Sequence, residues 1–511
     1  MGVIAKALTE TFLPETILFD SSTVKEYGGR RAVYNVDPAW RPNVAATYYS
    51  HQYWIWACFF RYQRFLALAD TGLGKTKVGL DAIQYAFDHW NVKHALVLTG
   101  YPISTSEWTG QAEKYITIPA SDIAGTAAQR RAQLVHFPQT PILVSDYSTL
   151  QTTFAVKQTV RRKNKLVPDL EALYNFGRQF DVVILDEIHR LKNRQSLRFS
   201  MVEAIVADIP IRWGLTGTLF DRRPEEAWAQ FYLIDGGETF GTYNQFLAYF
   251  FDEKPSRWSK WSFDYRLKKQ KREEFKTRVR HRSIRIATKE CKDIPIMRVV
   301  EEKLPPTIEQ REYIKAIEQQ VRAAREHGER LNSFSYLRQI VSGLRRVHND
   351  EIDATLRLSV SPKIEWLLAF LESLPDDEQV VIFYEFRASG EWLNETLTTN
   401  KYKVSWLYGG MGPEKEMLAY LAWKTKKTRL LVTQTEKAGE SLNLQQSAYI
   451  VQYEAPLTYR KEKQSLARVA SRIGGRPAVV YKLSIRGCIE QRVLQLIYEG
   501  KEISEDLLEE S

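Results

Sequence analysis

Ala69-Asp70-Thr71-Gly72-Leu73-Gly74-Lys75-Thr76 follows a short apolar run, Phe65 to Ala69, and leads into a helix-like stretch from Lys77 to Trp90. Strand, glycine turn and helix in that order are the setting of a phosphate-binding loop. The backbone N–H groups of Thr71, Gly72, Leu73 and Gly74 turn inward around phosphates, Lys75 reaches the β and γ phosphates, and the Thr76 hydroxyl suits magnesium. Such a loop needs an acid at the end of a neighbouring strand. A second apolar run, Asp181 to Leu185, supplies it by ending in Asp186-Glu187-Ile188-His189. A chance Gly-Lys-Thr turn, or an ordinary acidic strand end, would explain either motif alone. Both in this order point to hydrolysis of a nucleoside triphosphate, with ATP and Mg as the expected cofactors.

The chain has 511 residues, more than one core supports, because a single core stops growing at about 250 to 300 residues. Hydrophobic residues at 44% and charged residues at 26% exclude a disordered chain. A formal charge of +10 favours a polyanionic partner, nucleic acid most simply. The three cysteines, Cys58, Cys291 and Cys488, are too scattered for a disulfide framework or a CxxC zinc site, which fits a reducing compartment. The first ten residues lack the apolar core of a signal peptide, and the densest apolar run, Tyr53 to Phe60, is too short to span a bilayer. Lys6 stands where a myristoylation signal wants Ser or Thr. A cytoplasmic protein is expected.

Strand-like runs alternate with amphipathic helical stretches from residue 48 to 235: Phe65 to Asp70, Ala95 to Thr99, Ile142 to Asp146, Val182 to Asp186 and Trp213 to Thr216. This pattern predicts a parallel α/β domain. A second series spans 351–511, with strands expected at Val380 to Tyr384, Val404 to Tyr408, Leu430 to Thr433, Tyr449 to Tyr453 and Val479 to Leu483. Between them, residues 236–350 lack strand alternation and are rich in Lys, Arg, Glu and aromatics, which predicts a mainly helical, basic insertion. Residues 1–47 show no period and count as an N-terminal extension.

Two α/β domains with these motifs resemble the tandem RecA-like motor of superfamily 2 helicases. Asp186-Glu187-Ile188-His189-Arg190-Leu191-Lys192-Asn193 closely resembles the extended DEAH box of Swi/Snf-type ATPases, and Leu215-Thr216-Gly217-Thr218 resembles their motif III. Further matches keep the family's order. Gln52 sits where the family has its adenine-recognising glutamine, Val380 to Tyr384 resembles motif IV, Ser441-Leu442-Asn443-Leu444 resembles motif V, and Gln464 to Gly474 resembles motif VI. Seven ordered motifs are far more specific than one. There are departures too: Arg468 and Arg472 stand four apart where the family spaces its arginines by three, Ala438 and Ser441 replace usual glycines, and the run Pro102 to Trp108 is one residue short. Both arginine spacings share one helix face.

The resemblance implies a role for each residue. Thr76 and Asp186 would hold magnesium, Glu187 would orient and deprotonate the attacking water, and Arg468 and Arg472 would be arginine fingers from the second domain. His189, Thr216, Gly217, Thr218 and Gln464 would couple the ATP site to the track, and Ser441 and Asn443 would contact nucleic acid. Swi/Snf-type relatives typically track along duplex DNA without fully separating it, so duplex DNA is the expected partner, RNA not being excluded, and a monomeric motor is expected. Compact size favours a prokaryotic or phage version. The rival readings are a strand-separating helicase on branched DNA or RNA and an ATP-gated DNA clamp.

The cationic segment from Lys254 to Arg285 includes Lys268, Lys269, Lys271 and Arg272 and interleaves Trp258, Trp261, Phe263 and Tyr265. That pattern suits phosphate contact with stacking aromatics. Its ordinary alternative is a solvated helix face over a buried aromatic stripe. A second cluster, Arg161 to Lys165, reads as an exposed basic loop.

Overall fold

The computed structural model describes residues 49–491, apart from 124, 136–139, 161–162, 221–222, 256–262, 289–290, 292–296, 327–332, 349–352, 457–458, 471–476 and 489–490. The extension 1–47 lies outside the described residues. The chain divides into two compact units at residues 294 and 295.

The first unit is built on eleven strands: β1 Arg64–Ala69, β2 Ala95–Thr99, β3 Ala120–Asp122, β4 Ile142–Asp146, β5 Ala155–Val160, β6 Lys163–Pro168, β7 Val182–Asp186, β8 Ile211–Thr216, β9 Phe251–Pro255, β10 Phe263–Leu267 and β11 Ser283–Ile286. Seven of them form one sheet in the order β11-β1-β8-β7-β2-β4-β3, and every neighbouring pair is parallel. A parallel sheet is covered on both faces, so its strands read as nearly continuous apolar runs. Side chains still alternate between the faces. Leu66, Leu68, Val183 and Leu185 enter one core with Phe199, Phe231 and Phe246. Phe65, Ala67, Val182, Ile184 and Trp213 enter the other with Trp56, Phe59, Tyr85 and Trp108.

The second unit contains β12 Arg298–Leu304, β13 Leu344–His348, β14 Asp353–Arg357, β15 Val380–Tyr384, β16 Val404–Leu407, β17 Leu430–Gln434, β18 Tyr449–Gln452 and β19 Val479–Ile485. Six form the sheet β12-β19-β18-β15-β17-β16, again parallel throughout. Each unit is therefore a RecA-like parallel α/β sheet, and all ten strands expected from the sequence are present within a residue or two.

Residues 236–350 carry the helices Tyr243–Phe250, Arg272–His281, Ile308–Glu326 and Ser333–Val341, and they also carry strands β9 to β13. Two of these extend the sheets at their edges, β11 beside β1 and β12 beside β19. Both escape a periodicity reading for physical reasons. Strand β11 has four residues and an arginine, and β12 is largely exposed and charged, as edge strands that resist further pairing are. Of the cluster Arg161 to Lys165, Lys163, Asn164 and Lys165 lie on strand β6, paired antiparallel with Val160, Thr159 and Gln158 of β5, rather than in a plain loop; Arg161 and Arg162 lie outside the described residues. Among the described residues no helix is long and apolar enough to cross a membrane.

Candidate nucleotide site and the elements around it

Strand register gathers the motifs of the first unit. Leu68 pairs with Thr216, Asp186 with Leu215, and Ala69 with Ile286. The phosphate loop after β1, the acid pair after β7 and Thr216-Gly217-Thr218 after β8 therefore share the carboxyl edge of one sheet, where open α/β sheets bind ligands.

The loop turns through Gly72 at φ 85° and Gly74 at φ 72°. Gly74 is fixed twice over. Its positive φ disfavours a side chain, and an added Cβ would collide with Gln52 Nε2. Helix Lys75–His89 starts immediately after it, pointing the N–H groups of its first turn at the loop. The Lys75 ammonium is buried and donates to the carbonyls of Ala69 at 2.9 Å and Asp70 at 3.2 Å, so it lies across the loop's mouth. Gln52, on helix Ser50–Arg61, donates through Nε2 to Leu73 O at 3.2 Å, while its Oε1 accepts the Tyr49 N–H at 3.1 Å. His51 makes a parallel contact, Nε2 to Leu73 O at 2.9 Å. The sequence singled out Gln52 but not His51.

Asp186 is held by three donors. Trp108 Nε1 donates to Oδ2 at 2.9 Å, the Glu187 N–H donates to Oδ1 at 3.0 Å, and the Tyr147 hydroxyl donates to the Asp186 carbonyl at 2.9 Å. Burial, with Asp186 and Glu187 nearby, pushes the Tyr147 phenol well above its usual range, so it stays a donor. Each Asp186 carboxylate oxygen accepts an N–H, from Trp108 or from Glu187. The carboxylate at the end of β7 and the Thr76 hydroxyl at the start of helix Lys75–His89 are hard oxygen donors of the kind magnesium takes, completed by phosphates and water. The residues present therefore fit that ion.

Glu187 has φ 50° and ψ 45°, a left-handed conformation uncommon outside glycine. This turns its side chain toward His189, whose Nδ1 lies 3.2 Å from Glu187 Oε2 and 3.0 Å from Thr216 Oγ1. The Thr216 hydroxyl donates to Thr218 O at 3.0 Å and accepts the Thr218 N–H at 3.2 Å. His189 Nδ1 thus stands between the Glu187 carboxylate and the Thr216 hydroxyl, and that hydroxyl is hydrogen-bonded to Thr218. Gly217 lies against the loop, where an added Cβ would stand 3.4 Å from Thr71 Oγ1. Arg190 donates to Gly100 O at 2.9 Å over the ring of Tyr101, and Lys192 pairs with Glu226 at 2.9 Å.

In the second unit, Ser441 ends helix Thr435–Ser441, and Asn443 accepts the Gln445 N–H through Oδ1 at 3.2 Å. Gln464 and Arg468 lie on helix Tyr459–Ala470. That helix packs so closely on its neighbour that a Cβ on Gly439 would meet Gln464 Cβ at 3.3 Å. Arg468 Nε donates to Gly439 O at 3.1 Å. Arg472 lies outside the described residues. Glu454 accepts the backbone N–H groups of Glu385 at 2.6 Å and Phe386 at 2.9 Å, fixing the end of β15. Burial pushes the Glu385 carboxyl up to about 7.

The basic segment splits in character. Lys268 Nζ donates to Ala248 O at 2.7 Å, closing the end of helix Tyr243–Phe250. Lys271 pairs with Glu274 at 3.0 Å and lies 3.7 Å from the centre of the Tyr249 ring. Lys269 and Arg272 are exposed. Phe246, Phe250, Phe251 and Phe275 are buried in the first unit's core. Of the aromatics proposed for stacking, Phe263 is 46% exposed and Tyr265 is half-buried; Trp258 and Trp261 lie outside the described residues.

Residues 47–221 match the family described as type III restriction enzyme, res subunit, and residues 362–474 match the helicase conserved C-terminal domain. The CHD3-type chromatin-remodeling factor PICKLE of Arabidopsis thaliana is 25% identical over 339 residues, covering 62% of this chain and 23% of that protein. An uncharacterized ATP-dependent helicase of Bacillus subtilis, YqhH, is 26% identical over 134 residues, covering 26% of this chain and 24% of its own length. The chain thus spans about a quarter of the length of these curated relatives. Among solved structures, the Sulfolobus solfataricus SWI2/SNF2 ATPase core in complex with dsDNA is 18% identical, covering 90% of this chain and 92% of its own, with a TM-score of 0.41.

Proposed function

The chain belongs to the Swi/Snf-type superfamily 2 helicase-like ATPases, and from that membership we propose a motor that hydrolyses ATP to move along DNA, duplex first, and remodels DNA or protein–DNA complexes. The observation that carries this reading is the shared sheet edge. A phosphate loop, an acid pair and a threonine-glycine-threonine turn lie side by side there, and His189 Nδ1 stands between the last two, 3.2 Å from Glu187 Oε2 and 3.0 Å from Thr216 Oγ1.

In this reading the loop's N–H groups and Lys75 receive the β and γ phosphates, with Lys75 leaving the two carbonyls that it holds. Thr76 and Asp186 would hold magnesium, which when bound would supply positive charge against that building on the phosphates. Glu187 orients the attacking water and takes its proton. Gln52, hydrogen-bonded to Leu73 O, would recognise the adenine. Arg468 and Arg472 supply cationic charge from the second unit. Duplex DNA is supported by the chain's charge of +10 and by the chromatin-remodeling role in the name of one relative, PICKLE.

The test is ATP hydrolysis without nucleic acid and with duplex DNA, single-stranded DNA or RNA, using Lys75→Ala as the blank. Strong stimulation by duplex DNA, followed by triplex displacement, supports the translocase. Stimulation only by single strands, with strand displacement, replaces it with an unwinding helicase. Turnover indifferent to every nucleic acid replaces it with an ATP-gated clamp.

A further inference from the structure

Arg285 stands in the cationic run that the sequence offers to nucleic acid, yet its side chain, 39% exposed, is committed to partners within the first unit. It lies on β11, and β1 runs between β11 and β8. The guanidinium reaches over the end of β1. Nη1 donates to Leu68 O at 3.1 Å and to Gly217 O at 3.0 Å, and Nη2 donates to Asp70 Oδ1 at 3.0 Å. Asp70 opens the phosphate loop and is only 4% exposed. Its second oxygen, Oδ2, accepts the Thr288 N–H at 3.0 Å and faces the Thr288 hydroxyl at 3.3 Å.

One side chain thus fastens three segments that are remote in sequence: the entry to the phosphate loop, Gly217 of the turn after β8, and the strand end that carries Thr288. The planar fork of arginine suits this task, since it serves several acceptors in fixed directions and lysine cannot. A buried carboxylate requires such partners, because an unpaired charge away from water is costly.

We propose that Arg285 is a positioning residue that locks the phosphate loop to Gly217, so that displacement of Thr216–Thr218 by a nucleic-acid track is transmitted to Thr71–Thr76. The inference rests on the nucleic-acid-stimulated ATPase reading. In this proposal Arg285 acts through Asp70 and Gly217. A coupling of this kind usually carries a 5- to 150-fold effect, so about tenfold is the expected scale.

The experiment compares the parent, Arg285→Gln and Arg285→Lys for fluorescent-nucleotide affinity, unstimulated ATPase, the ratio of duplex-stimulated to unstimulated rate, and melting temperature. The expected result for Arg285→Gln is nucleotide affinity and unstimulated rate within about twofold and a stimulation ratio lowered about tenfold, with Arg285→Lys intermediate. An unchanged ratio overturns the proposal. So does a parallel fall of nucleotide affinity and both rates, which marks a purely structural role. Should Arg285→Gln not fold, Arg285→Lys decides in the same terms. A parent that no nucleic acid stimulates defeats the functional reading itself, and the coupling with it, before any variant is compared.

Discussion

The indole N–H of Trp108 donates to Asp186 Oδ2 across 2.9 Å, from a ring that is 1% exposed. Helix Pro102–Tyr115 thereby aims the carboxylate proposed to hold magnesium. Partners that orient a metal ligand are worth about 10- to 100-fold in metal affinity or activity. Trp108→Phe keeps an aromatic ring in the core and removes the donor. The magnesium concentration for half-maximal ATPase should rise at least severalfold, and the rate at saturating magnesium should largely recover. A titration curve that superimposes on the parent's would show that the indole does not orient this ligand.

Glu187 reaches His189 because its backbone is left-handed at φ 50°. Glu187→Gln preserves the backbone and the acceptor for His189 but cannot take a proton. Hydrolysis should fall by about 10²- to 10⁴-fold, the usual worth of a positioned general base, while nucleotide affinity changes little. Single-turnover hydrolysis beside equilibrium nucleotide binding separates the two; a rate within a few fold of the parent would remove Glu187 from the base role.

The exposed and the committed cations of the basic segment should respond differently to charge reversal. Lys269→Glu with Arg272→Glu should lower the slope of log affinity against log salt by up to about two, one for each phosphate that a cation no longer neutralises. Lys268→Glu instead removes the hydrogen bond to Ala248 O, and Lys271→Glu opposes Glu274, whose carboxyl is held down at about 2 chiefly by its hydrogen bond from Lys271. Those two should lower melting temperature as well as affinity. An unchanged salt slope in the double variant would move the track elsewhere.

These pairs show what a linear reading could reach. The strands β1, β7, β8 and β15 are legible because both faces of a parallel sheet are buried, which writes apolar runs into the sequence. Lys75, Thr76, Asp186 and Glu187 are legible because the local backbone, strand end or helix start, fixes their spacing. Trp108, Arg285 and His51 act on partners far along the chain through strand order and helix packing, and no local period encodes that. Arg285 was further hidden by its neighbours. In a cationic run every arginine looks alike until the fold shows that one of them faces Asp70.

Asp81 lies on the same helix as Lys75, is 2% exposed, and its Oδ2 has no hydrogen-bond partner among the described residues. Burial pushes its carboxyl up from 3.8 to about 8. An unfolded chain releases that proton near the lower value, so between about pH 4 and pH 8 the folded chain holds a proton that the unfolded chain has given up. Stability contributed by this group therefore falls as pH rises through that window, by up to about 1.4 kcal/mol per pH unit. Asp81→Asn keeps the shape and cannot ionise, so its melting temperature should decline less than the parent's between about pH 5 and pH 8. Parallel declines would mean that Asp81 is ionised in the folded chain across this range, and that a partner for its carboxylate has formed in solution.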